Sequence, residues 1–100
     1  MSALSGIFTL SKLLDDLRAS AYNLASTALV ERGAGWIRQL EVEYPLAYRL
    51  LMDALYNEPS DVLEALIHLQ PGLIQLRGNR NVLVYIGQLQ AKLRKGKQHA

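Results

Sequence analysis

Side chains able to do chemistry are few in this chain and they stand apart. His68 lies between the apolar residues Ile67 and Leu69 near the end of an amphipathic segment, and the other histidine, His99, lies in the tail with no ligand spacing between them. Neither has a partner in sequence that would make it a general base or a metal ligand. Asp15 and Asp16 look like a carboxylate pair. On a helix, however, neighbours in sequence point about 100° apart and do not share a proton, so both read as surface charge suited to an early helical turn. Glu41 and Glu43 diverge on a short helix in the same way, and Ser11, Ser20, Ser26 and Ser60 have no histidine nearby in sequence. The chain lacks cysteine, a Walker lysine, a glycine-rich dinucleotide fingerprint and an HExxH pair. The sequence therefore predicts no catalytic residue, no metal site and no cofactor, and a protein that is not an enzyme.

Charge is distributed more informatively. No acidic residue follows Glu64, and the last third carries Arg77, Arg80, Lys92, Arg94, Lys95 and Lys97. The first 58 residues hold seven carboxylates against five cations, a balance of −2. A basic end attracts phosphate, acidic headgroups or an acidic protein surface, including an acidic region on a second copy of the same chain. Two segments could form the contact. Arg77-Gly78-Asn79-Arg80-Asn81 precedes a predicted helix, where free backbone N–H groups and two guanidinium groups would make an anion site. Lys92, Arg94 and Lys95 are the second, as a nucleic-acid contact, as cations set against a helix dipole or as a solubilising tail. The helix after Asn81 would also turn Arg80, Val84, Gln88, Lys92 and Lys95 outward, as a DNA-reading helix does. The turn before it is long for a helix-turn-helix, and a net charge of +2 is small for a DNA-binding domain.

The elements that must carry these residues follow from hydrophobic period. One hundred residues make one domain, 50% of them apolar, with twenty leucines and a single tryptophan. Ser11 is the expected cap of a first helix whose apolar positions run from Leu10 to Ala28, stopped by Gly33 and Gly35. Trp36, Ile37, Leu40 and Tyr44 give a short second helix, anchored by the tryptophan and ended by Pro45. A third helix has Leu46, Leu50, Leu51, Ala54 and Leu55 as its inner face and stops near Asn57. Ser60 is expected to cap a fourth through Leu69. Residues 73–86 have two readings: a hairpin across Gly78-Asn79, or a turn followed by a helix that Asn81 caps and Gly96 ends, with a frayed tail at 97–100. The helical reading is preferred, because the period continues unbroken through Leu93.

These observations predict an all-α protein, a single domain over residues 1–100 with about five helices. No family resemblance accompanies them. The longest uncharged run, 19–30, is shorter than the roughly 20 residues of a membrane span and contains polar side chains. The start resembles no secretory leader, and a cytoplasmic location is expected. The aliphatic excess and the small residues of the first helix predict self-association through Leu17, Ala21, Leu24, Ala25 and Ala28. The expected function is that of a small adaptor or regulator that binds a protein, with nucleic acid as the alternative partner.

Overall fold

Glycine commonly ends a helix, yet the helix carrying Gly33 and Gly35 passes through both. The computed structural model describes the backbone of residues 2–98 and the side chains of residues 10–95. In it α1 spans Ser2–Tyr22 and α2 spans Thr27–Glu43, so the chain breaks at 23–26 and the two expected helices around the glycines are one. Ser26 sets this boundary. Its backbone is extended, with φ −112° and ψ 158°, and its side chain accepts the Leu29 N–H at 3.2 Å, satisfying one of the free donors of the new helix. Neither glycine has a positive φ, which occurs only at Gly78 among the described residues. Ser11 is therefore an interior residue of α1 and no cap, and Asp15 and Asp16 lie far from its first turn.

Proline begins the next three elements. Helix α3 spans Pro45–Ala54, α4 spans Pro59–Leu69, and a 3-10 turn spans Pro71–Leu76. At a first helical position proline brings a preset φ and lacks an N–H that would go unpaired. Tyr44, held in a non-helical conformation before Pro45, closes α2 by donating its N–H to the Leu40 carbonyl at 2.7 Å. The cap of α4 is Glu58 rather than Ser60, since Pro59 moves the start of the helix forward. Helix α5 runs over Arg80–Gln98. Asn79, not Asn81, caps it, its Oδ1 accepting the Val82 N–H at 3.2 Å. The hairpin reading is thereby excluded, and no strand occurs among the described residues. Helix α5 continues past Gly96, and of the tail expected to fray, residues 99 and 100 lie outside the described residues.

The molecule is all-α, and one core joins its elements. Helix α5 packs on α1, α2 and α4, while α3 joins α2 to α4. Leu13 and Leu17 of α1, Ala34 and Leu40 of α2, Leu63 of α4, Leu73 of the 3-10 turn and Val82, Tyr85 and Ile86 of α5 are all essentially inaccessible. Helix α3 faces inward through Ala47, Leu51 and Ala54. Leu46, expected in that face, is 80% exposed, and Leu50 is only half-buried. The radius of gyration of 12.4 Å matches the value of about 13 Å for one folded unit of this length. No helix among the described residues is long and apolar enough to cross a membrane.

Candidate interaction surface

Helix α5 separates the two basic segments. Arg80 and Lys95 are fifteen residues apart on one helix, a distance of about 22 Å at the usual rise, so the predicted residues do not converge on a single site. At the first end Arg77 grips Glu64 in a two-pronged ion pair, Nε to Oε2 at 2.6 Å and Nη2 to Oε1 at 2.7 Å. The hydrogen bond to the guanidinium holds the Glu64 carboxyl below its ordinary range, and the same bond raises the Arg77 value. The Asn79 carboxamide occupies the helix start where an anion would have to sit. Arg80 is exposed and Asn81 half-buried.

At the second end the cations are mostly engaged as well. Lys92 Nζ lies 2.7 Å from Glu31 Oε1 on α2. Arg94 donates from Nη2 to the Leu55 carbonyl at 2.6 Å and stands over the Tyr56 ring, 5.4 Å from its centroid. Gln90, buried one turn earlier, donates from Nε2 to the carbonyls of Leu55 and Asn57 at 2.7 and 3.0 Å. Gln90 and Arg94 thus clasp the corner between α3 and α4, where the backbone has left the helix and its carbonyls need partners. A polar cleft of about 530 Å³ lies beside this clasp, lined by Glu58, Asp61 and Arg94 among others. Lys95 is exposed.

The residue that sequence reasoning placed most wrongly is Asp16. It is 7% exposed, and its Oδ2 accepts Arg32 Nε and Trp36 Nε1, each at 3.1 Å. Arg32 and Trp36 are four apart on α2, so one carboxylate from α1 meets two donors on a single face. A signal existed in the sequence. A half-buried indole needs an acceptor for its N–H, and an arginine one helical turn from it suggests a carboxylate. Close by, the Tyr85 hydroxyl donates to the Leu29 carbonyl at 3.3 Å. Burial, helped by the Asp16 charge and opposed by Arg32, raises the pKa of that phenol well above its ordinary value, so it remains a neutral structural donor. His68 is exposed, and no group of three metal-ligating side chains occurs among the described residues.

The residues expected to form an assembly seam are divided between elements. Leu17 is fully buried in the core and cannot reach a second chain. Ala21 and Ala25 are half-buried, Ala28 is exposed, and Leu24, in the break after α1, is 83% exposed. Ala21 lines a cleft with Tyr22 and Gln75, and of these residues only Ala25 lines a separate groove of about 310 Å³ between the start of α2 and the outer side of α5. Its walls include Ala25, Thr27, Val30, Gln88 and Ala91, and Glu31, Lys92 and Lys95 stand at its edge. Val84, one turn before Gln88 on α5, is 46% exposed. Sequence reasoning missed this groove because its two walls are 57 or more positions apart in the chain. By contrast, the apolar cavity inside the core measures about 20 Å³, room for about one water molecule and too little for a ligand. Comparison with protein-family models, curated proteins and solved structures finds no match to this chain.

Proposed function

We propose that this chain is a non-enzymatic interaction module, a small self-associating adaptor or regulator of the cytoplasm that works by binding protein. The observation that carries this reading is the contrast between its cations and its apolar side chains. Arg77 and Lys92 are paired with carboxylates and Arg94 is turned onto a carbonyl, so among the described cations of the basic third only Arg80 and Lys95 stand exposed without an ion pair of this kind. Leu24, Val42, Leu46 and Val84 meanwhile remain in water, three of them at 77% or more, around or beyond an open groove. Apolar side chains of this size gain free energy when a partner covers them, and a groove of mixed apolar and polar lining lets such a partner be held by both kinds of contact.

The test uses the full chain immobilised and exposed to a nuclease-treated lysate. Bound protein should survive high salt and should be reduced by Leu24→Ser with Val84→Ser, changes at exposed positions that leave the fold intact. Binding to a mixed-sequence duplex that falls steeply with salt, together with loss of captured protein after nuclease, would sink this reading and select the nucleic-acid alternative.

A further inference from the structure

Helix α2 has a second face that, apart from the contact of Glu31 with Lys92, the fold leaves unpartnered. Ala28, Glu31, Gly35, Arg38 and Val42 recur at three- and four-residue spacing along its solvent side, and all but the half-buried glycine are exposed. Gly33 has an internal reason to be glycine, because a Cβ there would overlap the Tyr85 hydroxyl. Gly35 has none. A Cβ at Gly35 would find no atom within 4 Å, and its φ is not positive. A glycine in a helix interior costs about 1 kcal/mol relative to alanine, so this position weakens the monomer for no internal gain.

The stripe is complementary to itself when reversed. Glu31, whose Oε1 is held by Lys92 of its own copy while its side chain stays half exposed, lies four residues before Gly35 and Arg38 three after, so a two-fold axis near the glycine sets the acid of each copy against the base of the other. The same operation carries Val42, 77% exposed, over Thr27 and Ala28 at the mouth of the groove between α2 and α5. Parallel pairing would instead oppose like charges. Ala28, Gly35 and Val42 are spaced at seven residues, the repeat that keeps one seam facing a partner along crossing helices. We propose that two copies of this chain pair antiparallel along α2, with Gly35 at the two-fold axis, reciprocal Glu31–Arg38 ion pairs and Val42 of each copy seated at the groove of the other. The proposal deepens the reading of this face as a protein-binding surface by naming a second copy as its occupant. A contact centred on one helix of 17 residues, about 25 Å long, is smaller than a standard stable interface, and the dimer accordingly dissociates in the micromolar range.

Sedimentation equilibrium of the full chain over a micromolar concentration series tests the proposal. The mass should rise from monomer to dimer, and Gly35→Gln should weaken the dimer about tenfold or more while leaving the melting temperature of the monomer unchanged or higher. Arg38→Glu should weaken it as well, and adding Glu31→Arg together with Lys92→Glu, which keeps an ion pair between α2 and α5, should restore it. The chain contains no cysteine, so Gly35→Cys should give a disulfide-linked dimer on oxidation, whereas Gln75→Cys should give none. A monomer at every concentration, or a dimer indifferent to both Gly35→Gln and Arg38→Glu, overturns the pairing. Its failure is distinguishable from failure of the protein-binding reading, since a strictly monomeric chain that still loses captured protein on Leu24→Ser with Val84→Ser overturns only the choice of occupant.

Discussion

Asp16 shows how much a single side chain can bind together. Its carboxylate is the acceptor for an arginine and for the only tryptophan, and both donors come from the helix that packs on its own. Sequence alone made it one of two interchangeable surface acids, because the helix was expected to begin at Ser11 and to place both in an early turn. Once α1 is known to begin at Ser2, the dipole argument disappears and the two acids separate: Asp15 is exposed and Asp16 is buried. Asp16→Ala should lower stability by about 1–3 kcal/mol, since the indole N–H loses its acceptor in a half-buried setting and the charge-assisted bond to Arg32 is lost. Asp15→Ala should change it by less than about 0.5 kcal/mol, its ion pair with Arg18 being a 3.7 Å contact between exposed groups. Denaturant titration followed by Trp36 fluorescence checks both. Equal effects would mean that the buried carboxylate is no more important than its neighbour.

At the scale of elements, legibility depended on which rule was local. Proline acts through its own ring and its neighbour, so the start of α3 and the end of α2 at Tyr44 could be read directly, whereas the cap of α4 is Glu58 instead of the expected Ser60 and the 3-10 turn after Pro71 was not foreseen. Glycine was misread because its role at Gly33 is set from α5, more than fifty residues away, where the Tyr85 hydroxyl fills the space a Cβ would take. The break after Tyr22 was hidden for a related reason. Ala21, Leu24, Ala25 and Ala28 keep helical spacing across it, and Ser26 gives a capping signal with no flanking glycine or proline. The two glycines of α2 should therefore respond oppositely to the same change. Gly33→Ala gains helix propensity but must displace a phenol held by the core, and its net effect should be a loss of about 1–3 kcal/mol, reduced in a Tyr85→Phe background. Gly35→Ala should stabilise by about 0.5–1 kcal/mol. Thermal melts of the two variants and of the Gly33→Ala, Tyr85→Phe double decide the matter, and a stabilising Gly33→Ala would contradict the packing described.

For the whole molecule, the all-α class and the single unit followed from period and length, whereas the groove and the clasp at the α3–α4 corner did not, because each is assembled from segments that meet only in the fold. Helix α5 is the reason the unit is single. It touches α1, α2 and α4, and through Gln90 and Arg94 it also holds the corner that begins α4. A defect in α4 should accordingly be felt at Trp36 on α2, although the two elements are joined mainly through α3 and α5. Leu66→Ala removes a side chain 3% exposed and should cost about 2–5 kcal/mol, while Leu50→Ala, at a half-buried position able to collapse or admit water, should cost less than about 2 kcal/mol. In a chain of this length each kilocalorie lowers the melting temperature by about 4–8 °C, so the two variants are easily resolved. Far-ultraviolet circular dichroism reports all the helices and Trp36 fluorescence reports the α1–α2 contact. The two probes should give coincident transitions for the wild-type chain and for Leu66→Ala. If the circular dichroism of Leu66→Ala fell well before its fluorescence, α4 would be unfolding on its own, and α5 would not be the element that couples the two halves.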